Sequence, residues 1–566
     1  MNPELLKVVS SQYKHLPGRT AADIDPRTLK SASMLTNDMF SFQALYRAEE
    51  GVMNQPVSLT AVCEGLRIGA WRVDYVPILY VCNPKNEPGY ESDKPGLYPD
   101  VLMPRPAAPE VEGIYEKDTL NLLNATGGDY QAVWFTVNPD STMLTAGEYT
   151  IRIALTALLD GTLLAEQELK LEVIDAALPE SDVYYTNWFY EDVLCDTFDV
   201  ELYSDKFYEI FDDYVSNMAR HRQNTLLLPA FTPPLDTPVG SERMNVQLTD
   251  IRRDENGWHF GFERMRTFVR HALRCGIRTF EHCHLFSQWG AEHAPNIYDT
   301  TGKRIFGFDT DAFSEEYVTF IRSYLKAFFA FAKEEGIENH LFFHISDEPV
   351  LDQLESYRKA VSQVADLLEG YVTADAMSRL EFYTEGLVKQ PIASVRSADS
   401  FMGKCDSFWL YYTGGVNYEK LGGTNRLMTN TAARTRVLGV QMFHYKALGF
   451  LHWGYNFYYD RLSAGRFVPQ SAPNAYKNFP GAAHLVYPVF GRGVCHVATS
   501  IREKLMAEAM DDLRALKLLA SRIGFEAVDA MCERILGHPA VTGLVPEGDA
   551  LLKLREAINQ KIRETN

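Results

Sequence analysis

Two adjacent carboxylates, Asp347 and Glu348, close the apolar run of FHISDEP and stand immediately before Pro349. Proline has no N–H with which to continue a ladder, so the pair is expected at the end of a strand over 341–346. Like charges this close do not both ionise cheaply, and one of the two pKa values should rise. A neutral acid beside an ionised one is the division of labour that glycoside cleavage uses. The competing reading is a helix N-cap, in which a carboxylate receives backbone N–H groups of the following helix.

Aromatic residues surround other expected strand ends, in EHCHLFSQWG, FYTEG, FWLYYTGG and LHWGYNFYYD. The C–H faces of a pyranose pack on indole and phenol rings, while its hydroxyls need polar partners. Trp289, Trp409, Tyr411, Tyr412, Trp453 and Tyr455 are the candidate platforms, and His284, His293, His344, Tyr383, His452 and Asn456 the candidate polar contacts. For any one aromatic, packing in the core is the competing reading. His282 and His284 alternate along one run with His344 a strand away, which allows a zinc site. There is no HExxH, however, and no phosphate-binding GxxxxGK[ST], GxGxxG or GxSxG. Neither a metal nor another cofactor is expected.

These residues need a scaffold that gathers several strand ends. The chain has 566 residues, 46% hydrophobic and 23% charged, which excludes disordered and collagen-like classes. Its formal charge of −20 repels phosphate backbones, so nucleic acid is not an expected partner. No apolar stretch approaches a membrane span. Residues 1–177 carry short β-branched and aromatic runs (57–62, 70–81, 131–137, 149–159, 163–173) punctuated by Gly, Pro and Asn, and predict an all-β sandwich. A proline-rich loop is expected over 84–109. From 178 to 523 strand and helix signals alternate, with strands expected at 183–189, 225–231, 278–286, 341–346, 380–384, 407–413, 425–429 and 449–455. The helix expected over 315–335 places Tyr317, Phe320, Ile321, Tyr324, Leu325, Phe328 and Phe331 on one face. A helix over 504–523 would close the ring. The fold class is thus α/β, a (β/α)8 TIM barrel preceded by a β-sandwich, with a short helical extension over 524–566. In such barrels the site lies at the C-terminal ends of the strands. Eight scattered cysteines without a CxxC pair predict reduced thiols. The N-terminus carries no signal-peptide pattern, and a cytoplasmic location is expected.

FHISDEP, GFLHWGYNFYYD, LVYP and SIREKL together resemble the catalytic region of glycoside hydrolase family 123, and TPPLDTP and FEHCHLFSQWGAEHAP are similar to segments of its uncharacterised relatives. The resemblance runs from about Phe231 to Arg514. It implies a retaining exo-acting β-N-acetylgalactosaminidase in which the substrate's own 2-acetamido group is the nucleophile. Glu348 then matches the general acid/base, and Asp347, ionised, the residue that orients the acetamido group. Ordinary retention needs two carboxylates about 5 Å apart on opposite faces of the sugar. Neighbours on one strand end do not reach both faces, but they can serve the glycosidic oxygen and the acetamido N–H. Tyr383 or Tyr411 is placed to donate to the acetamido oxygen. The expected partner is an oligosaccharide or glycoconjugate, and a homo-oligomer is compatible with the sequence. The alternatives are double displacement with Glu385 as nucleophile, a barrel that binds glycans without cutting them, and a metal-dependent hydrolase.

Overall fold

Short runs rich in β-branched residues at the start of the chain form two sheets in the computed structural model, which describes residues 2–82, 88–103, 119–233, 235–237, 241, 243–414, 424–491, 495–537, 546 and 548–566. Contacts divide the chain into two units: Met1–Ser181 with Val416–His444 and Val468–Asn566, and Asp182–Gly415 with Tyr445–Phe467. The chain thus leaves the first unit and returns to it twice, where the sequence reading cuts once at 177/178 and once at 523/524.

In the first unit a seven-stranded sheet runs Leu6–Ser10, Phe40–Tyr46, Gln131–Val137, Ile68–Ile78, Gly96–Met103, Val497–Ser500, Tyr487–Pro488. A five-stranded sheet runs Ser31–Leu35, Leu163–Ile174, Gly147–Ala157, Gln55–Val62, Thr119–Ala125. One apolar cluster draws on both, with Phe42, Ala44 and Phe135 from the first and Leu59, Ile151, Ile153 and Leu169 from the second. Alternation explains the division: along Gly147–Ala157 the residues Ile151, Ile153 and Leu155 are buried, and Arg152 between them is exposed. The loop expected over 84–109 contains the strand Gly96–Met103, while 84–87 and 104–109 lie outside the described residues.

Helix Ile501–Ile523 belongs to this first unit rather than to the strand-and-helix unit it was expected to close. Its polar residues show why. Arg502 forms a fully buried pair with Asp100 of strand Gly96–Met103 at 2.9 Å. Asp512 accepts from Arg436 at 2.7 Å and from Arg555 at 2.9 Å, and Arg555 also binds Asp38. Periodicity identifies the helix, but only these charge partners identify its neighbours. No helix among the described residues is long and apolar enough to cross a membrane.

The second unit holds two parallel sheets. One has the order Tyr184–Asn187, Gly449–His452, Trp409–Tyr411, Ile392–Ser394, Ala376–Met377, and the other Thr225–Leu228, Thr279–His282, Leu341–Phe343, Val372–Thr373. Asn224 links two of their edges, since its N–H donates to Tyr185 O at 3.2 Å and its Oδ1 accepts from Tyr185 N at 2.9 Å. Helix Glu315–Glu334 forms where expected and buries all seven predicted residues. Two expected strands are corrected. Residues 381–384 form a helical turn, Glu381–Thr384, with only Phe382 buried, so β-propensity is overruled where one side chain alone finds a core. Residues 425–429 form no strand: Asn425 Oδ1 takes the N–H of Arg426 and Asn430 Oδ1 that of Leu427, the donors a ladder would use. The strands in their place, Val372–Thr373, Ala376–Met377 and Ile392–Ser394, are two or three residues long, too short for a visible period.

Candidate active site

Beyond strand Leu341–Phe343 the chain runs through His344, a bend at Ile345, and Ser346 to the two carboxylates. Asp347 is buried, and its Oδ2 accepts from Gln288 Nε2 at 2.9 Å. Glu348 is half-buried, and its Oε1 accepts from the Tyr411 hydroxyl at 2.8 Å. The two side chains thus have separate partners on different strand ends. Glu348 has φ +44°, a left-handed conformation unusual for a side chain of this size, and its N–H donates to Ala376 O at 3.0 Å. Neither carboxylate is an N-cap: Val350 and Gln353 occupy the cap positions of the next two helical segments without side-chain capping by Asp347 or Glu348.

Burial, and then the neighbouring Glu348, push the Asp347 carboxyl well above the usual range, against the pull of the Gln288 amide and the His344 cation. The raised pKa expected from the pairing therefore falls on Asp347, where the resemblance implies an ionised group. Tyr411 is raised as well, by burial first and then by Glu348, so its hydroxyl stays a donor.

Beneath the pair lies a buried polar layer. His344 sits between Asp375 Oδ1 at 3.0 Å and Glu281 Oε1 at 2.9 Å, all three buried. Burial alone would lower its pKa, but the two carboxylate hydrogen bonds outweigh this and raise it to about 10. It is an imidazolium that donates from both nitrogens, not a substrate contact. Asp375 also accepts from the N–H groups of Ile345 and Ser346 at 3.1 Å and from the Tyr357 hydroxyl at 2.5 Å. It thereby holds the backbone that carries Asp347 and Glu348. Trp188 Nε1 donates to Glu281, and its ring meets His284 edge-on at 5.5 Å. His284 stacks on His344 at 4.7 Å and is fully buried, with both ring nitrogens lacking a hydrogen-bond partner.

Other expected residues separate into two groups. Trp289, 58% exposed, is joined to the carboxylate pair because its N–H donates to Asp347 O at 3.0 Å. His293 stacks on Phe308 at 4.4 Å, and Trp453 is half-buried with its carbonyl bound by Tyr190. Tyr412 is buried beside Phe450 and His452. Trp409 is instead a core residue, stacked on Tyr184 at 4.7 Å with its indole N–H on Gln390. Tyr455 is fully buried against Asn217, and Asn456 ties two strand-end loops through Tyr190 N and O. The Tyr383 hydroxyl accepts from Asp406 N at 3.1 Å on the short helix, so Tyr411 and not Tyr383 meets the pair. His282 and His284 do not face the same way. The strand ends at His282, whose ring packs outward on Phe343 and binds the Tyr324 hydroxyl. Among the described residues no group of three or more His, Cys, Asp or Glu is placed to hold a metal ion. Glu385 is exposed and paired with Arg358, away from the carboxylate pair's partners. Gln288, Glu281, Asp375 and Trp188 were missed, since single polar residues inside apolar runs announce burial but not a partner.

No curated protein matches the chain by sequence. Among solved structures, a family 123 glycoside hydrolase from Clostridium perfringens, studied for glycolipid glycan hydrolysis, superimposes with a TM-score of 0.69 at 13% identity, covering 99% of this chain and 96% of that one. At this identity the likeness is one of fold. A family 5 mannosidase from Rhizomucor miehei (TM-score 0.30, 11% identity, 61% of this chain and 95% of that one) and a β-D-glucuronidase from Dictyoglomus thermophilum (0.27, 8%, 79% and 61%) are too distant to carry an argument. The family model described as glycoside hydrolase 123, catalytic domain, matches residues 188–519, which include every residue of the carboxylate site, and the chain is a glycosidase belonging to glycoside hydrolase family 123.

Proposed function

We propose that the protein is an exo-acting, retaining hydrolase of β-linked N-acetylhexosamine, with N-acetylgalactosamine as the sugar, and that the substrate's 2-acetamido group is the nucleophile. The observation that carries this reading is the adjacency of Asp347 and Glu348, each held by its own partner, Gln288 and Tyr411. Two such neighbours cannot sit on opposite faces of one anomeric carbon, as double displacement requires. Glu385, the alternative nucleophile, is bound by Arg358 at the surface.

In this mechanism the acetamido N–H donates to Asp347, which favours the ionised carboxylate and passes its proton to the neighbouring Glu348. The acetamido oxygen attacks C1 as the glycosidic bond breaks, and Glu348 protonates the departing oxygen. Asp347 stabilises the positive charge of the oxazolinium ring. Glu348 then takes a proton from water as that water opens the ring at C1, with net retention. Tyr411 turns from Glu348 to the acetamido oxygen, and Trp289 and Trp453 supply ring contacts.

The catalytic unit on this reading is a (β/α)8 barrel. Val372–Thr373 and Ala376–Met377 act as two halves of one stave about Asp375, and the two sheets of the other unit act as an accessory sandwich. The likeness to the Clostridium perfringens enzyme makes glycolipid headgroups a substrate class to try. A panel of aryl glycosides with and without a 2-acetamido group, in both anomeric forms, tests the proposal. Turnover confined to β-anomers bearing the acetamido group is expected, and comparable cleavage of the plain β-galactoside would sink it.

A further inference from the structure

Each ring nitrogen of His344 meets a carboxylate, Nδ1 at 3.0 Å from Asp375 Oδ1 and Nε2 at 2.9 Å from Glu281 Oε1. A neutral imidazole carries one N–H and would turn a lone pair towards the other carboxylate. All three side chains are at most 1% exposed, so no solvent screens that clash, and the ring holds both protons. The other partners of the two carboxylates are donors as well. The Trp188 indole donates to Glu281, and the N–H groups of Ile345 and Ser346 and the Tyr357 hydroxyl donate to Asp375. The imidazolium is therefore fixed by geometry from both ends.

That charge lies in the segment that carries the carboxylate pair. His344 precedes Asp347 by three residues, and Asp375 grips the ring together with the N–H groups of the two residues between them. Ring and carboxylate therefore keep a set spacing. The titratable groups that face Asp347 are His344 and Glu348 from its own segment, Asp375 from the run after Val372–Thr373, and Tyr411 from Trp409–Tyr411. The segment after Thr279–His282 adds the uncharged Gln288 amide. His282 and His284, close to His344, are kept neutral by burial, His282 with its pKa lowered to about 4. Among these groups His344 is the one cation. A second cation acts on the other member of the pair, for Arg396 faces Glu348 and Tyr411. Arg396 follows strand Ile392–Ser394, in which Ser394 is the register partner of Tyr411. It favours an ionised Glu348 and His344 an ionised Asp347, so the two cations compete over which acid keeps the proton.

We propose that His344 is a positioning residue for the reaction: its cation, locked between Glu281 and Asp375, draws the negative charge of the pair onto Asp347 and leaves the proton on Glu348. The proposal rests on the reading above, in which Asp347 acts ionised and Glu348 as the acid. It gives His344 no contact with substrate.

The test is the pH dependence of kcat/KM for nitrophenyl β-N-acetylgalactosaminide in wild type, His344→Gln and His344→Lys. The working pair shares one proton, so activity falls on the acid side as a second proton binds and on the alkaline side as the last is lost. Removing the cation makes both protons harder to lose. Both limbs of the His344→Gln profile should lie about one pH unit higher, while those of His344→Lys, which keeps the charge, coincide with wild type. A lowered kcat with unmoved limbs in His344→Gln, or the same shift in both variants, would overturn the proposal. A second readout needs no turnover. The infrared carbonyl band of protonated Asp347, isolated by difference against Asp347→Asn, should vanish about one pH unit higher in His344→Gln than in wild type. An unchanged midpoint overturns the role of His344 even if the substrate-assisted reaction is upheld. A shifted midpoint supports that role even if plain β-galactosides are cleaved equally well and the proposed reaction fails. Should His344→Gln not fold, Glu281→Gln/His344→Gln takes its place with the same shifts expected, because it removes the cation together with one of its counter-charges.

Discussion

At the scale of single residues, Asp347 and Glu348 differ in what removing each should do. On the proposed mechanism Glu348→Gln deletes the proton donor, so poor leaving groups should lose about 10²–10⁴-fold in kcat while nitrophenolates lose far less. Asp347→Asn should slow every leaving group alike, and a comparison of aryl glycosides of differing leaving-group acidity separates the two. Stability should move the other way. Asp347 is held neutral by burial, with its pKa raised in the folded chain, whereas the unfolded chain releases that proton near the ordinary aspartate value. Unfolding above about pH 4 therefore releases a proton, and native stability falls as pH rises until Asp347 ionises in the fold as well. Asp347→Asn removes that penalty. Its thermal midpoint should exceed that of wild type near neutral pH, with the difference closing towards pH 4. The residue types at this site were legible in the sequence, but the side that keeps the proton was not, because burial depth is a property of the assembled strands.

At the scale of elements, the strand end that carries the two carboxylates is held by a neighbour's side chain rather than by its own ladder. Asp375 takes the N–H groups of Ile345 and Ser346 and one nitrogen of His344. Asp375→Asn leaves the His344 cation with one carboxylate partner and turns an amide donor towards backbone donors. Breaking a buried pair costs about 3–5 kcal/mol, and a urea titration should show a loss of that order together with reduced kcat. The His344 pKa is raised to about 10 in the fold, so its contribution is fully present below about pH 6.5 and lost as pH rises through 10. Wild type should accordingly lose stability between about pH 6.5 and pH 10 more steeply than a His344→Gln variant. Asp375 lay unseen in the sequence because Val372–Thr373 and Ala376–Met377 are too short to show a period, while the longer run at 380–384 drew the strand assignment away. Helix Glu315–Glu334, with about five and a half turns of consistent burial, was readable without coordinates.

At the scale of the molecule, the first unit is assembled from both ends of the chain. Val497–Ser500 pairs with Gly96–Met103, and helix Ala550–Glu564 brings Arg555 to Asp38 and Asp512. The C-terminal helices are thus structural, although their sequence reads as a surface extension. A chain ending at residue 536 loses Arg555 and leaves two buried carboxylates with fewer partners. It should unfold at least about 3 kcal/mol more readily, or accumulate as insoluble protein, by the same desolvation argument. A fragment of residues 1–181 should likewise fail to give a cooperative thermal transition, because its seven-stranded sheet lacks two strands.

Local pattern alone determined the chemistry on offer and the broad class of fold: paired acids before a proline, aromatic strand ends, a β-rich start and repeated strand–helix rhythm. These are properties of residues close in the chain, and alternation or amphipathic period writes them directly into the sequence. Tertiary structure decided which acid is neutral, which histidine is a buried cation, which tyrosine meets Glu348 and which unit claims the last helices. Each of those depends on distances between strands far apart in sequence, where burial and charge pairing set the energies and no local period records them.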